Sequence, residues 1–160
     1  MKVIMSLEKN LYSNSPEIVM KKKQGKKIIL LASTLLFSSL SFSDMSVIVH
    51  PENTSTFNNS VIKKIFLGKQ TKFTNGQIAL PMNAAETLPT YDAFNDNILG
   101  KSRTQVNAYW ARLVFTGKGD LPKVLASDSD IVATVSANQG AISYVDSASV
   151  TDKVKVIANF

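Results

Sequence analysis

The stretch WARLVFTGKGDLP, Trp110 to Pro122, decides how the chain is read. If Gly117-Lys118-Gly119 opened a helix, its free N–H groups and its lysine would suit a phosphate. If it closed one, the glycines would serve only the turn. Upstream, Val106, Tyr109, Trp110, Leu113 and Val114 recur at the spacing of one helical face. Ser102 with Gln105 three residues later forms a capping box for the start of that helix. The glycines therefore follow the end of a helix, near Phe115 or Thr116, where unpaired carbonyls and the negative dipole end face outward. Gly117 suits a left-handed stop and Lys118 suits the C-terminal dipole. A phosphate loop also ends in Lys-Ser or Lys-Thr, whereas this chain has Lys118-Gly119. The stretch is a helix end, and Lys118 is left the role of a lysine reaching from a loop toward a ligand held elsewhere.

The neighbouring segments fall into order around this helix. Before it, ETLPTYDAFNDNILGK predicts a helix from about Pro89, preceded by Thr87 or Leu88. Tyr91, Phe94, Ile98 and Leu99 form its apolar face and Gly100 ends it. NNSVIKKIFLG predicts another, capped by Asn59 or Ser60 and stopped by Gly68. Ser127 to Asp130 opens a further helix, with Gly140 as its stop. Ser46 to His50 is a β-branched run halted by Pro51, and it reads as a buried strand. Asn75-Gly76 is a turn joining two short strands, the second of them QIALPM. AISYV and KVKVIAN close the chain as strands, the second alternating lysine with apolar residues so that one face is wet. The order β-α-β-β-α-α-α-β-β predicts an α/β fold, a small mixed sheet packed with helices.

Upstream of Asp44 the composition changes. Residues 20–27 are a basic block, and residues 28–43, IILLASTLLFSSLSFS, carry no charge. A basic segment, a short apolar core and small residues before Asp44 make a secretory signal peptide with cleavage near Ser43. The strongly apolar core is about ten residues, half of the roughly 20 that a membrane span needs. The expected organisation is a leader over 1–43, with translation from Met1 or Met20, and one domain over 44–160. The expected location is the periplasm, with no membrane attachment after cleavage.

This division changes the charge argument. The formal net charge is +6. Seven lysines against Glu8 and Glu17 lie within residues 1–43, which leaves 11 Lys+Arg against 10 Asp+Glu from Asp44 onward. A nearly neutral domain has no electrostatic footprint for a polyanion, so nucleic acid is excluded as a partner. There is no cysteine, so the domain rests on its hydrophobic core and carries no lipid-modified cysteine. The lone His50 sits at a strand end with no further ligands around it, and no metal or cofactor is expected. No nucleophile–base pair or Gly-x-Ser-x-Gly elbow is present, so no catalytic residue is assigned and the chain is read as a non-enzyme. Asp128 and Asp130 are first-turn acids of a helix rather than a catalytic pair.

Three segments together carry a resemblance. KKIFLGKQTKFTNGQIALPMN (63–83), FNDNILGKSRTQVNAYWARLVFTGKG (94–119) and VSANQGAISYVD (135–146) occur in the order and spacing of the phosphate ABC transporter substrate-binding family. Over residues 46–158 the chain resembles its short, single-lobe members. The resemblance implies a periplasmic-binding-protein type 2-like single lobe, export, and phosphate or another small anion as ligand, with a transporter or another periplasmic protein as partner. It also implies an anion site after the strand IALPM, at the start of the helix near Pro89, with Asn83 and Thr87 as ligand-binding residues; Lys118, reaching in from its own loop, is a further candidate. The family carries an arginine and a Ser-Gly-Thr there, and this chain has Asn83-Ala84-Ala85-Glu86-Thr87. Glu86 would repel an anion. Ser143 replaces the family's glycine in Gly-Ala-Ile-Gly-Tyr. Phosphate binding is therefore expected to be weak or lost, and the alternative is a protein–protein interaction module without a small ligand. Phe66, Leu67, Trp110, Phe115, Ile142 and Tyr144 are expected to be core.

Overall fold

A computed structural model describes residues 44–160. The leader, its cleavage site and the choice between Met1 and Met20 lie outside the described residues. Five strands form one mixed sheet in the order β3-β2-β4-β1-β5. In chain order these are β1 (Met45–Val49), β2 (Leu80–Ala84), β3 (Lys123–Leu125), β4 (Ala141–Asp146) and β5 (Lys155–Asn159). β2 runs parallel to β3 and to β4, while β1 runs antiparallel to β4 and β5. Four helices complete the fold: α1 (Asn59–Phe66), α2 (Pro89–Phe94), α3 (Arg103–Phe115) and α4 (Asp128–Ala137).

The centre of the sheet is dry. All five residues of β1 and the first five of β4 are buried, which requires cover on both faces. On one face Phe94 of α2 stacks on Tyr144 of β4, with centroids 3.9 Å apart and planes 4° from parallel. Phe66 of α1 closes against both rings. Burial raises the pKa of the Tyr144 phenol, so it is a neutral core group. α4 buries Ile131, Val132 and Val135. Ser143 is fully buried and donates to the Met82 carbonyl at 2.8 Å. This joins β4 to β2 just past their backbone pairs, Leu80 with Ala141 and Pro81 with Ile142.

The helix ends follow local chemistry. Ser102 and Gln105 form the expected capping box on α3, and Ser127 caps α4 through the Asp130 N–H. Gly68, Gly100 and Gly117 all adopt positive φ just beyond a helical segment. At the end of α3 the Gly117 N–H donates to the Val114 carbonyl at 3.0 Å and the Lys118 N–H to that of Leu113 at 2.9 Å. Gly117-Lys118-Gly119 is thus a helix stop.

Several expectations are corrected. Phe115 is 93 % exposed and Val114 is also exposed, so the apolar stripe of α3 is buried only at Val106 and Trp110. The stripe continues past the point where α3 leaves the body of the domain. The cap of α1 is Asn58, whose Oδ1 accepts from the Val61 N–H at 2.9 Å. The segment before Asn75-Gly76 makes only an isolated bridge, Lys72 to Ile78, rather than a strand. β3 leaves no signal in the sequence, because its three residues are too few to show a period. The helix from Pro89 widens into a π turn over Asn95–Leu99 before Gly100. In β5 the alternation breaks at a bulge: Ile48 faces Val156 and Val47 faces Ala158, which leaves Ile157 as the extra residue.

Candidate functional site

The β2–α2 turn lies beyond the carboxyl end of a parallel strand, the usual place for ligands in open α/β sheets. Asn83, half-buried, sits in β2 opposite Val124. Thr87 is exposed in the turn itself. Much of the turn's own donor capacity is used internally. The Ala85 N–H donates to the Leu125 carbonyl, Leu88 to Ala85 and Tyr91 to Leu88, all at 2.9–3.0 Å. Pro89 has no N–H to offer. The exposed backbone donors left for a ligand are those of Glu86 and Thr87, since Thr90 is buried. Leu88 caps α2 without a side-chain hydrogen bond.

The charge at the turn is set by a residue from another helix. Arg103, at the start of α3, grips Asp92 with Nε at 3.1 Å and Nη2 at 2.7 Å. Its Nη1 lies 3.3 Å from Glu86 Oε2, and Nη2 also reaches the Glu86 carbonyl at 2.9 Å. The guanidinium lies over the Tyr91 ring, 5.3 Å from its centroid. Asn107 donates to the other Glu86 oxygen at 3.4 Å. The hydrogen bond from Arg103 holds the Asp92 carboxyl below the usual carboxylate range, so Asp92 stays ionised at neutral pH and keeps its hold on the arginine. These pairs are solvent-exposed and add little stability. Their consequence is chemical: one guanidinium is shared between two carboxylates, and the turn stays net negative.

Lys118 is not brought to this turn. Arg103 and Phe115 mark the two ends of α3, about 18 Å apart at 1.5 Å per residue. Lys118 follows the far end, where it lines a separate cavity near the start of β2. The structure therefore keeps Asn83 and Thr87 near one another and sets Lys118 apart.

Arg103 and Asp92 escaped the sequence reading. Arg103 follows the capping serine, where the sequence signals only the start of a helix. Its partners lie 11 and 17 positions away across a turn, beyond any helical period. The opposite charges on either side of the Gly100 stop were the one available signal. Among the described residues no group of histidine, cysteine and carboxylate side chains could hold a metal, and no helix is long and apolar enough to cross a membrane.

No family model matches the chain, and no curated protein does. Solved structures do. An ABC-type phosphate transport receptor from Vibrio cholerae matches with TM-score 0.56 at 18 % identity, over 71 % of this chain and 44 % of the receptor. A putative phosphate ABC transporter substrate-binding protein from Clostridium perfringens, solved with bound phosphate, matches with TM-score 0.57 at 20 % identity, over 71 % of this chain and 43 % of that one. A possible phosphate binding protein from Planctomyces limnophilus matches with TM-score 0.52 at 20 % identity, over 71 % and 40 %. At these identities the likeness is one of fold. The chain shares the α/β fold of these phosphate-receptor structures, across less than half of their length.

Proposed function

We propose that residues 44–160 form an exported substrate-binding-like module that contacts a small anion weakly at the β2–α2 turn, through Asn83 and Thr87. The shared fold supports a binding role rather than an enzymatic one. The observation that carries the weakness is the capture of Arg103 by Asp92 and Glu86. An incoming phosphate must compete with two carboxylates for the Arg103 guanidinium. A like charge about 5 Å from the anion costs on the order of 1 kcal/mol at a partly exposed site. Glu86→Gln should therefore strengthen phosphate binding about fivefold, and Thr87→Ala should weaken it. Titration calorimetry of the two variants at low salt reads both signs. Weaker binding by Glu86→Gln would mean that Glu86 serves the site instead of opposing it.

Export belongs to the same reading. The protein recovered from the periplasm should begin at or near Asp44 by mass spectrometry. An intact leader retained in the inner membrane would overturn the soluble, periplasmic reading.

A second reading is favoured by one observation. Val114, Phe115, Leu121 and Val124, all exposed, fall within the eleven residues from the end of α3 into edge strand β3. Large exposed apolar groups near a sheet edge suit a protein partner, such as a transporter component or another periplasmic protein. On that account a protein co-purifies with the chain and phosphate does not bind.

A further inference from the structure

We infer that Asn75 is a site of spontaneous covalent modification: its side chain closes on the Gly76 nitrogen to a cyclic imide, which water opens to aspartate and isoaspartate. Asn75-Gly76 is the one Asn-Gly pair in the chain. It lies at the tip of a hairpin loop in which Thr74, Asn75 and Gly76 are all exposed. Gly76 has a φ of +89°, and a Cβ built there would meet nothing within 4 Å, so its peptide is open to water. The Gln77 N–H donates to Asn75 Oδ1 at 3.0 Å. This turn of side chain onto main chain folds the carboxamide back over the Asn75–Gly76 peptide. The same bond draws electron density from Cγ, the carbon to be attacked. With no side chain on Gly76, nothing of its own hinders its nitrogen from approaching.

In the reaction the Gly76 nitrogen bonds to Asn75 Cγ, and the Cγ–Nδ2 bond breaks. The proton lost by the Gly76 amide goes to Nδ2, which leaves as ammonia. Water then adds to one of the two imide carbonyls and opens the ring. One bond opposes the first step: the Gly76 N–H donates to the Phe73 carbonyl at 3.0 Å and must let go. That release is local. The hairpin pairs through the isolated bridge of Lys72 with Ile78, outside the main sheet. Its tip is tied to the preceding loop by the Asn75 N–H on Ser55 Oγ at 3.3 Å and the Thr56 N–H on Thr74 Oγ1 at 3.0 Å. An exposed loop held in this way opens without unfolding of the domain. Isoaspartate routes the main chain through an added methylene. The Gly76–Phe73 bond and the 2.8 Å bond from the Phe73 N–H to the Gln77 carbonyl then lose their register. They place Phe73, which is 3 % exposed and meets Phe57 edge-on at 5.6 Å. Either product also puts an acid into residues 53–85, which hold four lysines and no acid. The inference is independent of anion binding at the β2–α2 turn.

The test is to hold the purified protein for several weeks at body temperature and mildly alkaline pH, then digest it with trypsin. The peptide 73–101 carries Asn75 together with Asn83, Asn95 and Asn97, each of these three followed by a residue with a side chain. Tandem mass spectrometry should place the exchange of an amide nitrogen for oxygen at Asn75 ahead of the other three. Chromatography should split the product into two peptides of equal mass, aspartate and isoaspartate, as a shared imide requires. Isoelectric focusing of the intact chain should show a matching acidic shift. Asn75→Gln keeps the amide but lengthens the side chain, and it should abolish both the shift and the paired peptides. A parallel sample in urea reports the unconstrained loop. An unchanged Asn75 in the folded protein, conversion in urea alone, or conversion first at another asparagine would overturn the proposal.

Discussion

Replacing Trp110 with alanine is expected to lower stability by about 3–5 kcal/mol, the cost of a cavity left by a large buried aromatic. The indole is 4 % exposed and packs edge-on against Tyr109 at 5.8 Å. Gly68 and Gly119 close over it. Val106 is the only other buried side chain of α3, and the helix is otherwise held by polar contacts such as the Tyr109 hydroxyl donating to the Leu67 carbonyl at 2.7 Å. A domain of this kind has about 5–15 kcal/mol in total, so the loss threatens folding near body temperature. Phe115→Ala supplies the contrast. The ring is 93 % exposed, and removing it should change stability by less than about 0.5 kcal/mol. Urea denaturation of both variants checks the pair. Equal effects would mean that α3 buries its terminal turn as the sequence stripe suggests.

Gly140→Ala is expected to cost about 1–3 kcal/mol through overpacking. Its backbone is not left-handed, so the reason is space rather than conformation. An added Cβ would stand 2.8 Å from the Ile78 carbonyl oxygen, with Leu80 and Asn138 close behind. Relief by movement is costly here. The Gly140 carbonyl accepts from the Leu80 N–H at 2.8 Å, and its own N–H donates to Asn138 Oδ1 at 3.0 Å. These bonds hold the start of β2 against β4, so any shift loosens that junction. A melting temperature unchanged by Gly140→Ala would show that this approach is looser than described.

Gly140 also shows where sequence and structure part. A glycine after an apolar helical run is a sound helix-stop signal, but α4 ends at Ala137 and Asn138 is extended. The glycine's reason is a strand from elsewhere in the chain. Local signals read well where the physics is local. The capping box at Ser102, the left-handed stops at Gly68, Gly100 and Gly117, and the buried run of β1 needed only neighbouring residues. Long-range effects were hidden. Val114 continues the spacing of Trp110, and only the position of α3 on the domain separates the buried residue from the exposed one. β3 exists because Val124 can pair beside Asn83, a relation with no sequence period.

The candidate site divides in the same way. The turn holding Asn83, Glu86 and Thr87 was legible from its place after a strand and before Pro89. Glu86 as an opponent of anions was legible from its charge. The arginine that answers it was not, because Arg103 arrives from α3 and already holds Asp92. Arg103 at this turn is thus engaged by two acids, and on the proposed function that capture is what keeps anion binding weak.

Titration calorimetry of the purified protein with phosphate, with sulfate in parallel, tests this most directly. Low salt leaves any electrostatic binding least screened. The account predicts a phosphate Kd no tighter than about 0.1 mM, roughly −5.5 kcal/mol. A micromolar Kd in the wild type would contradict it and give the chain the role of a phosphate receptor. Absence of heat at millimolar phosphate, in both the wild type and Glu86→Gln, would contradict it from the other side and leave the protein-docking reading in its place.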